Sequence, residues 1–503
     1  MVNWCFTFVF SLFLYMITKH FYYKFHKFPP RPFFSVPIIG HLYLLKKPLH
    51  RTLAKISNKY GPVVFLEFGS RPVLLVSSPS AAEDCFTTND LIFANRPKLL
   101  AGKHLGYNYT TLAWASYGHH WRNLRRIASL EILSNNRIQM FTNIRRDEVL
   151  SLISSLHESS KNGRFVEVDM KAWFFNVTLN TIMRMITGRR CYGDKKEEPE
   201  ARKFREMVEE TFRLSGSSNI GDFVPLAKWI GVNSTEKKMI KLNQKKDSSI
   251  QDMIELHRRM RSHSPVEEKK TIIDVLLSLQ ETEPESYTDE IIRGLILVII
   301  SAGTDTSAGT LEWALTLLLN NPDSLKKTID EIDKKVDSSR LINDSDLPNL
   351  PYLHGVINET LRMCPAAPLI PPHESTEECT VGGFLVPRGT MLLVNLWAIH
   401  NDPKLWEEPE RFKPERFVDV EGQRDCFRFM PFGSGRRGCP GEGMAMRMVG
   451  LTLGTLVQCF EWERNGVEMV DMSEGPGLTM PKAQPLVAKY RPRPHMVDHL
   501  TRI

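Results

Sequence analysis

The chain has 503 residues, 42% of them hydrophobic and 24% charged. That composition supports a large packed core and excludes a disordered or low-complexity chain. The net charge of +7 would suit a nucleic-acid partner if it were spread over the body. Instead, nine lysines and arginines precede Glu67, the first acidic residue, and they outweigh the whole excess. The charge belongs to the N-terminal segment, which points to a membrane surface and away from nucleic acid.

The predicted elements begin with an anchor over residues 1–27. Trp4 to Ile17 is mostly apolar and uncharged, and Tyr22, Tyr23 and Phe25 extend it with interfacial aromatics. Trp4 to Phe25 is just long enough to span a bilayer. The segment lacks the basic start and small-residue cleavage site of a secretory signal. Its lysines follow the apolar run, which places the rest of the chain in the cytosol. Residues 28–40 contain "PPRP" and read as a stiff proline hinge. Residues 41–503 are expected to form one large folded domain.

Within it, residues 61–78 read as two short strands around a turn at Gly69–Pro72. From about 118 to 320 the pattern is mostly helical, with charged interruptions near 191–200 and 261–270. Thr288–Asn320 is apolar on most faces, so it is expected to run through the core. A further helix covers about 348–363, short strands follow in "CTVGG" and "TMLLVNLWAIH", and a final helix covers 441–460. Strands and helices do not alternate regularly, which excludes a doubly wound sheet. The fold class expected is mainly α with small β-sheets.

The eight cysteines are scattered and form no CxxC. One has a distinctive setting. In "FMPFGSGRRGCPGEGMA", Phe429 to Ala445, five glycines and two arginines crowd Cys439. Positive surroundings and a following helix N-terminus favour a thiolate. Glycines let backbone N–H groups and a flat cofactor come close, and Arg437 is placed to neutralise an acid group on it. A single thiolate is wrong for structural zinc, which takes four protein ligands. It suits a haem held by one cysteine.

The stretch Phe432, Gly435, Arg437, Cys439, Gly441 closely resembles the haem-binding loop of the cytochrome P450 family. Other motifs of that family follow in order. Glu359 and Arg362 match its Glu-x-x-Arg, and "FKPERF" supplies Arg416 as the third member of a buried structural network. Trp121 and Arg125 in "WRNLR" match residues the family sets against a haem propionate, and Arg96 and His373 occupy positions that often do the same. "AGTDTS", Ala302 to Ser307, resembles the oxygen-activation motif, with Asp305 and Thr306 as an acid–alcohol pair managing protons and Gly303 leaving room for dioxygen and water. The interior glycine Gly309 has no role in this reading. The resemblance covers essentially the whole chain and is closest to the plant microsomal branch that includes isoflavone hydroxylases.

The resemblance implies a cytochrome P450 fold behind a transmembrane helix, with haem b as cofactor and Cys439 as its axial ligand. It also implies a monooxygenase of the endoplasmic reticulum membrane with a cytosolic catalytic domain. Electrons are expected from NADPH through NADPH–cytochrome P450 reductase, since the chain shows no flavin or nicotinamide fingerprint of its own. Two rivals are a reductase-independent haem-thiolate isomerase or dehydratase and a membrane-anchored haem sensor; neither needs an intact acid–Thr pair. The substrate expected is a multi-ring plant metabolite, hydroxylated or oxidatively cyclised. The pocket is read as rich in aromatics, with Tyr107, Tyr109, Trp114, Tyr117, Phe212 and Phe223. A terpenoid, an alkaloid or a fatty acid is the alternative. Lys103 and Arg213, the cations in view for a fatty acid, are read as solvated.

Overall fold

Strands β1 (Val63–Phe68) and β2 (Arg71–Val76) are rich in Val, Leu and Phe and pair antiparallel across Gly69 and Ser70. Gly69 turns the chain at φ 58°, a left-handed conformation that favours glycine. In this computed structural model the described residues are 25–502, except 33–34, 161–162, 192–198, 217–218, 225–233, 264–270 and 419–426, together with Phe10, Leu14 and Thr18. The expected anchor, residues 1–27, therefore lies almost wholly outside the described residues. The hinge is docked: Phe65 N–H donates to the Pro30 carbonyl at 2.9 Å.

Three small sheets flank a helical body. In the first, β1 and β2 are joined by β7 (Met391–Val394), parallel to β2, and by the two-residue β4 (His373–Glu374). In the second, β3 (Val166–Asp169), β9 (Val487–Pro492) and β8 (Phe460–Arg464) lie in that order. The third is the hairpin of β5 (Cys379–Val381) and β6 (Phe384–Val386). The expected strand through "TMLLVNLWAIH" stops at Val394. There the Asn395 side chain accepts the Ala398 N–H at 3.1 Å and starts a short helix, Leu396–His400.

Eight helices position the candidate site: α1 (His119–Arg126), α2 (Thr142–Ser159), α3 (Met170–Thr187), α4 (Pro199–Ser215), α5 (Ser234–His263), α6 (Asp289–Asn320), α7 (Pro351–Met363) and α8 (Glu442–Cys459). Helix α6 starts where Thr288 caps the Ile291 N–H and Asp289 and Glu290 complement the helix dipole. Among the described residues it alone is long and apolar enough to cross a membrane. Its second half, Leu311–Leu319, is buried throughout, so it is a core helix. It packs on α3, α7 and α8 and carries much of the main core.

Candidate active site

Cys439 is presented by a loop that folds back on itself. Gly433 and Gly435 adopt φ 71° and 68°. The Gly438 N–H then reaches the Gly435 carbonyl at 3.0 Å, and the Cys439 N–H reaches that of Phe432 at 2.8 Å. A Cβ on Gly435 would stand 2.4 Å from Asp90 Oδ1, whereas one on Gly433 would meet nothing within 4 Å. One side of the loop is thus tightly packed and the other is open. Phe432 itself is half-buried against the main core. The Cys439 sulfur accepts the Gly441 N–H at 3.3 Å, where α8 begins. Cys439 is exposed on the open side and walled on the other. That wall raises the thiol pKa by desolvation, and the Gly441 N–H and Arg125 oppose it.

Three arginines converge beside this loop. Arg125, on α1, donates to the Gly438 carbonyl at 2.6 Å. Arg437 donates to the Ala94 carbonyl and, at 2.5 Å, to that of Ala115, and lies over the Trp121 ring at 4.7 Å. Arg96 is buried and donates to the carbonyls of Pro371, Pro372 and Ala113. Burial lowers the pKa of all three. Arg437 adds to the lowering at Arg96, and Arg125 takes Arg437 to about 10. Among the described residues no carboxylate pairs with any of them. His373 is buried with them, its Nδ1 2.7 Å from the Phe93 carbonyl oxygen. Burial and then Arg96 hold its pKa well below 6.5, so the ring is neutral.

Buried cations without a counter-ion are costly, so this cluster fits a flat group carrying acid substituents of its own. The donor set agrees: one sulfur faces the open side, and no group of three or more His, Cys, Asp or Glu forms a metal cluster among the described residues. Trp121 departs from expectation. Its indole N–H donates to the Leu112 carbonyl at 3.1 Å, so the ring braces Arg437 and its N–H does not face the open side.

Behind the loop, Arg362 donates to both oxygens of Glu359, at 2.7 and 2.9 Å, with both side chains fully buried. Arg416 reaches Glu359 at 3.3 Å, and Arg362 also binds the His400 and Pro409 carbonyls. The three expected partners therefore form one network, which fastens residues 400–416 to α7. His400 extends it: its Nε2 accepts the Met430 N–H at 3.2 Å, just ahead of the cysteine loop. Burial, then Arg362, pushes its pKa down to about 3. Sequence reading passed over His400, which carries no motif; its only signal is a histidine ending an apolar run.

On α6, Thr306 Oγ1 donates to the Ala302 carbonyl at 2.6 Å, the back-bond expected. Asp305 accepts from Thr479 at 2.8 Å. Burial raises the Asp305 pKa, and the Thr479 bond opposes this. The pair borders a cavity of about 260 Å³ whose walls include Phe175, Phe212, Trp313 and Thr479. The expected aromatics are mostly engaged elsewhere. Tyr107 donates to Asp247 at 2.8 Å, Tyr117 packs on Trp121, Trp114 closes against Gly102, and Phe223 packs on Phe68. A Cβ on Gly303 would stand 2.8 Å from Ile182 Cδ1, so this glycine lets α3 pack close to α6. Gly309 gains an account, since its missing side chain opens onto the cavity. Lys103 and Arg213 are exposed, as expected.

A family model described as cytochrome P450 matches residues 29–488. The chain is 52% identical over 465 residues to a cytochrome P450 of Catharanthus roseus, covering 92% of this chain and 91% of that protein. It is 50% identical over 474 residues to the isoflavone 2'-hydroxylase of Medicago truncatula, covering 94% and 93%. Among solved structures, a zebrafish cytochrome P450 with progesterone superposes with a TM-score of 0.75 at 25% identity, covering 89% of this chain and all of that one.

Proposed function

The chain belongs to the cytochrome P450 family, and from that membership we propose that it is a membrane-anchored monooxygenase acting on a multi-ring plant metabolite. Members of the family are monooxygenases that use haem b, with NADPH electrons delivered by a reductase. For this chain the partner is NADPH–cytochrome P450 reductase. The organisation is an anchor over 1–27, a hinge over 28–40 and a catalytic body over 41–503, with the body on the cytosolic side of the endoplasmic reticulum. The early basic excess supports this. So do Val36 and Ile38 in the hinge and Tyr43 just after it, apolar residues that are exposed.

In this reading Cys439 would hold the haem through its sulfur, and the open face of the loop, with Phe432, would cradle it. Arg96, Arg125 and Arg437 neutralise the cofactor's acid groups, His373 adds a neutral hydrogen-bonding partner, and Trp121 positions Arg437. Bound haem supplies oxygen activation, which a thiolate ligand favours. The remaining chemistry belongs to the chain. Thr306 has its hydroxyl hydrogen on Ala302, so its free lone pairs accept a hydrogen bond from water. Asp305, with its raised pKa, holds and releases a proton nearer neutrality than an exposed carboxylate does. Glu359, Arg362 and Arg416 are structural and keep the loop in register. Phe175, Phe212 and Trp313 give the cavity aromatic walls suited to ring substrates.

The observation that carries the reading is the open-faced cysteine beside three cations for which no carboxylate partner lies among the described residues. Its test is the carbon monoxide spectrum of the reduced protein. Cys439→Ala abolishes the long-wavelength band, and Cys459→Ala, at a buried core cysteine, leaves it intact. A band retained in Cys439→Ala refutes the ligand assignment.

A further inference from the structure

Helix α4 lies along α6, and two cavities share the groove between them. The larger is the cavity beside Thr306, which reaches Glu209 and Phe212 of α4. The smaller, of about 10 Å³, is bounded by Phe204, Val208 and Thr211 of α4, by Leu297 and Ser301 of α6, and by Lys246 of α5. Ser301 and Asp305 stand one turn apart on the same face of α6, roughly 6 Å along its axis. The small cavity therefore lies one helical turn along α6 from the Asp305 edge of the larger one.

Lys246 is 3% exposed. Its Nζ has no hydrogen-bond partner, and no carboxylate acts on it among the described residues. The adjacent carboxylate, Asp247, is engaged by Tyr107 at 2.8 Å and Arg293 at 2.7 Å. An unpaired amine among Phe204, Val208, Ile250, Leu297 and Ile300 destabilises the fold relative to an apolar side chain of its size. Stability alone gives no reason for a lysine here.

We infer that Lys246 is a specificity-determining residue whose Nζ receives a phenolic hydroxyl of a ring substrate lying in the larger cavity. This rests on the ring-substrate reading above. The compartment has room for about one oxygen atom. A carboxylate brings two oxygens, one more than the compartment has room for. Burial lowers the amine's pKa to about 7, so both protonation states are accessible near neutrality. The ammonium donates to a phenol oxygen and the neutral amine accepts the phenol O–H, so a phenol is served in either state. A carbonyl can only accept, so it uses the amine's N–H donors alone and never its lone pair, whereas a phenol uses either. Thr211 does not compete as a donor, since its hydroxyl is bonded to the Met207 carbonyl at 2.6 Å.

The test measures binding to the full-length haem-loaded protein by calorimetry, with flavone, its monohydroxy isomers and lauric acid as probes. At least one monohydroxy isomer is expected to bind roughly 10-fold tighter than flavone. Lys246→Met is expected to erase that preference, to leave flavone binding unchanged or tighter, and to raise the thermal midpoint. A preference that persists in Lys246→Met, or equal binding of flavone and every isomer by the unaltered protein, overturns the assignment and leaves the ring-substrate reading standing. Tighter binding of lauric acid, or no binding of any flavone, overturns that reading and the Lys246 role with it.

Discussion

Thr306 shows how little of a side chain remains for chemistry once its local bonds are counted. Its hydroxyl hydrogen is on the Ala302 carbonyl, so only its lone pairs face the cavity. An alanine there changes neither the packing around Cys439 nor the three arginines. Thr306→Ala is therefore expected to load haem normally while product per NADPH falls at least several-fold and hydrogen peroxide rises. Measuring product, NADPH and peroxide together decides it, and unchanged coupling removes Thr306 from proton delivery. The Cys439 loop, Glu359–Arg362 and Thr306–Ala302 were legible in the sequence because their partners lie within one turn or one loop. Lys246 was not. Whether a helical lysine faces water or two other helices depends on packing by segments far away in the chain.

At the scale of elements, the buried Glu359 joins α7 to the segment 413–416. It binds Arg362 of its own helix, Arg416, and the Lys413 N–H at 3.0 Å. Glu359→Ala leaves Arg362 buried without its counter-charge, which costs about 3–5 kcal/mol. The expected outcome is a sharp drop in thermal midpoint and poor recovery of haem-loaded protein; a midpoint within a degree or two of the unaltered protein's would refute this. Helix α6 offers the opposite case. Gly309→Ala places its methyl in open space and improves helix propensity by up to about 1 kcal/mol. The variant is expected to melt higher and to bind bulky ring ligands more weakly, read by thermal denaturation and ligand titration. The apolar pattern revealed α6 as a core helix, but not why its glycines differ. Gly303 faces Ile182 of α3 and Gly309 faces the cavity, and that difference arises only when α3 and α4 pack against it.

At the scale of the whole molecule, the proposed anchor is tested by its removal. Deleting residues 1–27 is expected to move most of the protein into the soluble fraction at high salt. A residue of weak attachment is expected to persist through Val36, Ile38 and Tyr43, which remain exposed. Fractionation with and without salt checks this, and unchanged sedimentation means that another surface anchors the protein. The mainly helical class with small sheets was legible from patterning. The pairing of β3 with β9, more than 300 residues apart in the chain, was not, because no local signal specifies so distant a partner. Arg96, Arg125 and Arg437 bear on the molecule as a whole. Held together without an anion, they repel one another in a site where burial already disfavours charge. A dianionic ligand that removes the repulsion binds the folded chain and not the unfolded one, so its free concentration enters the folding equilibrium directly. The melting temperature is therefore expected to climb as free haem is added, and a midpoint that does not move would refute the linkage.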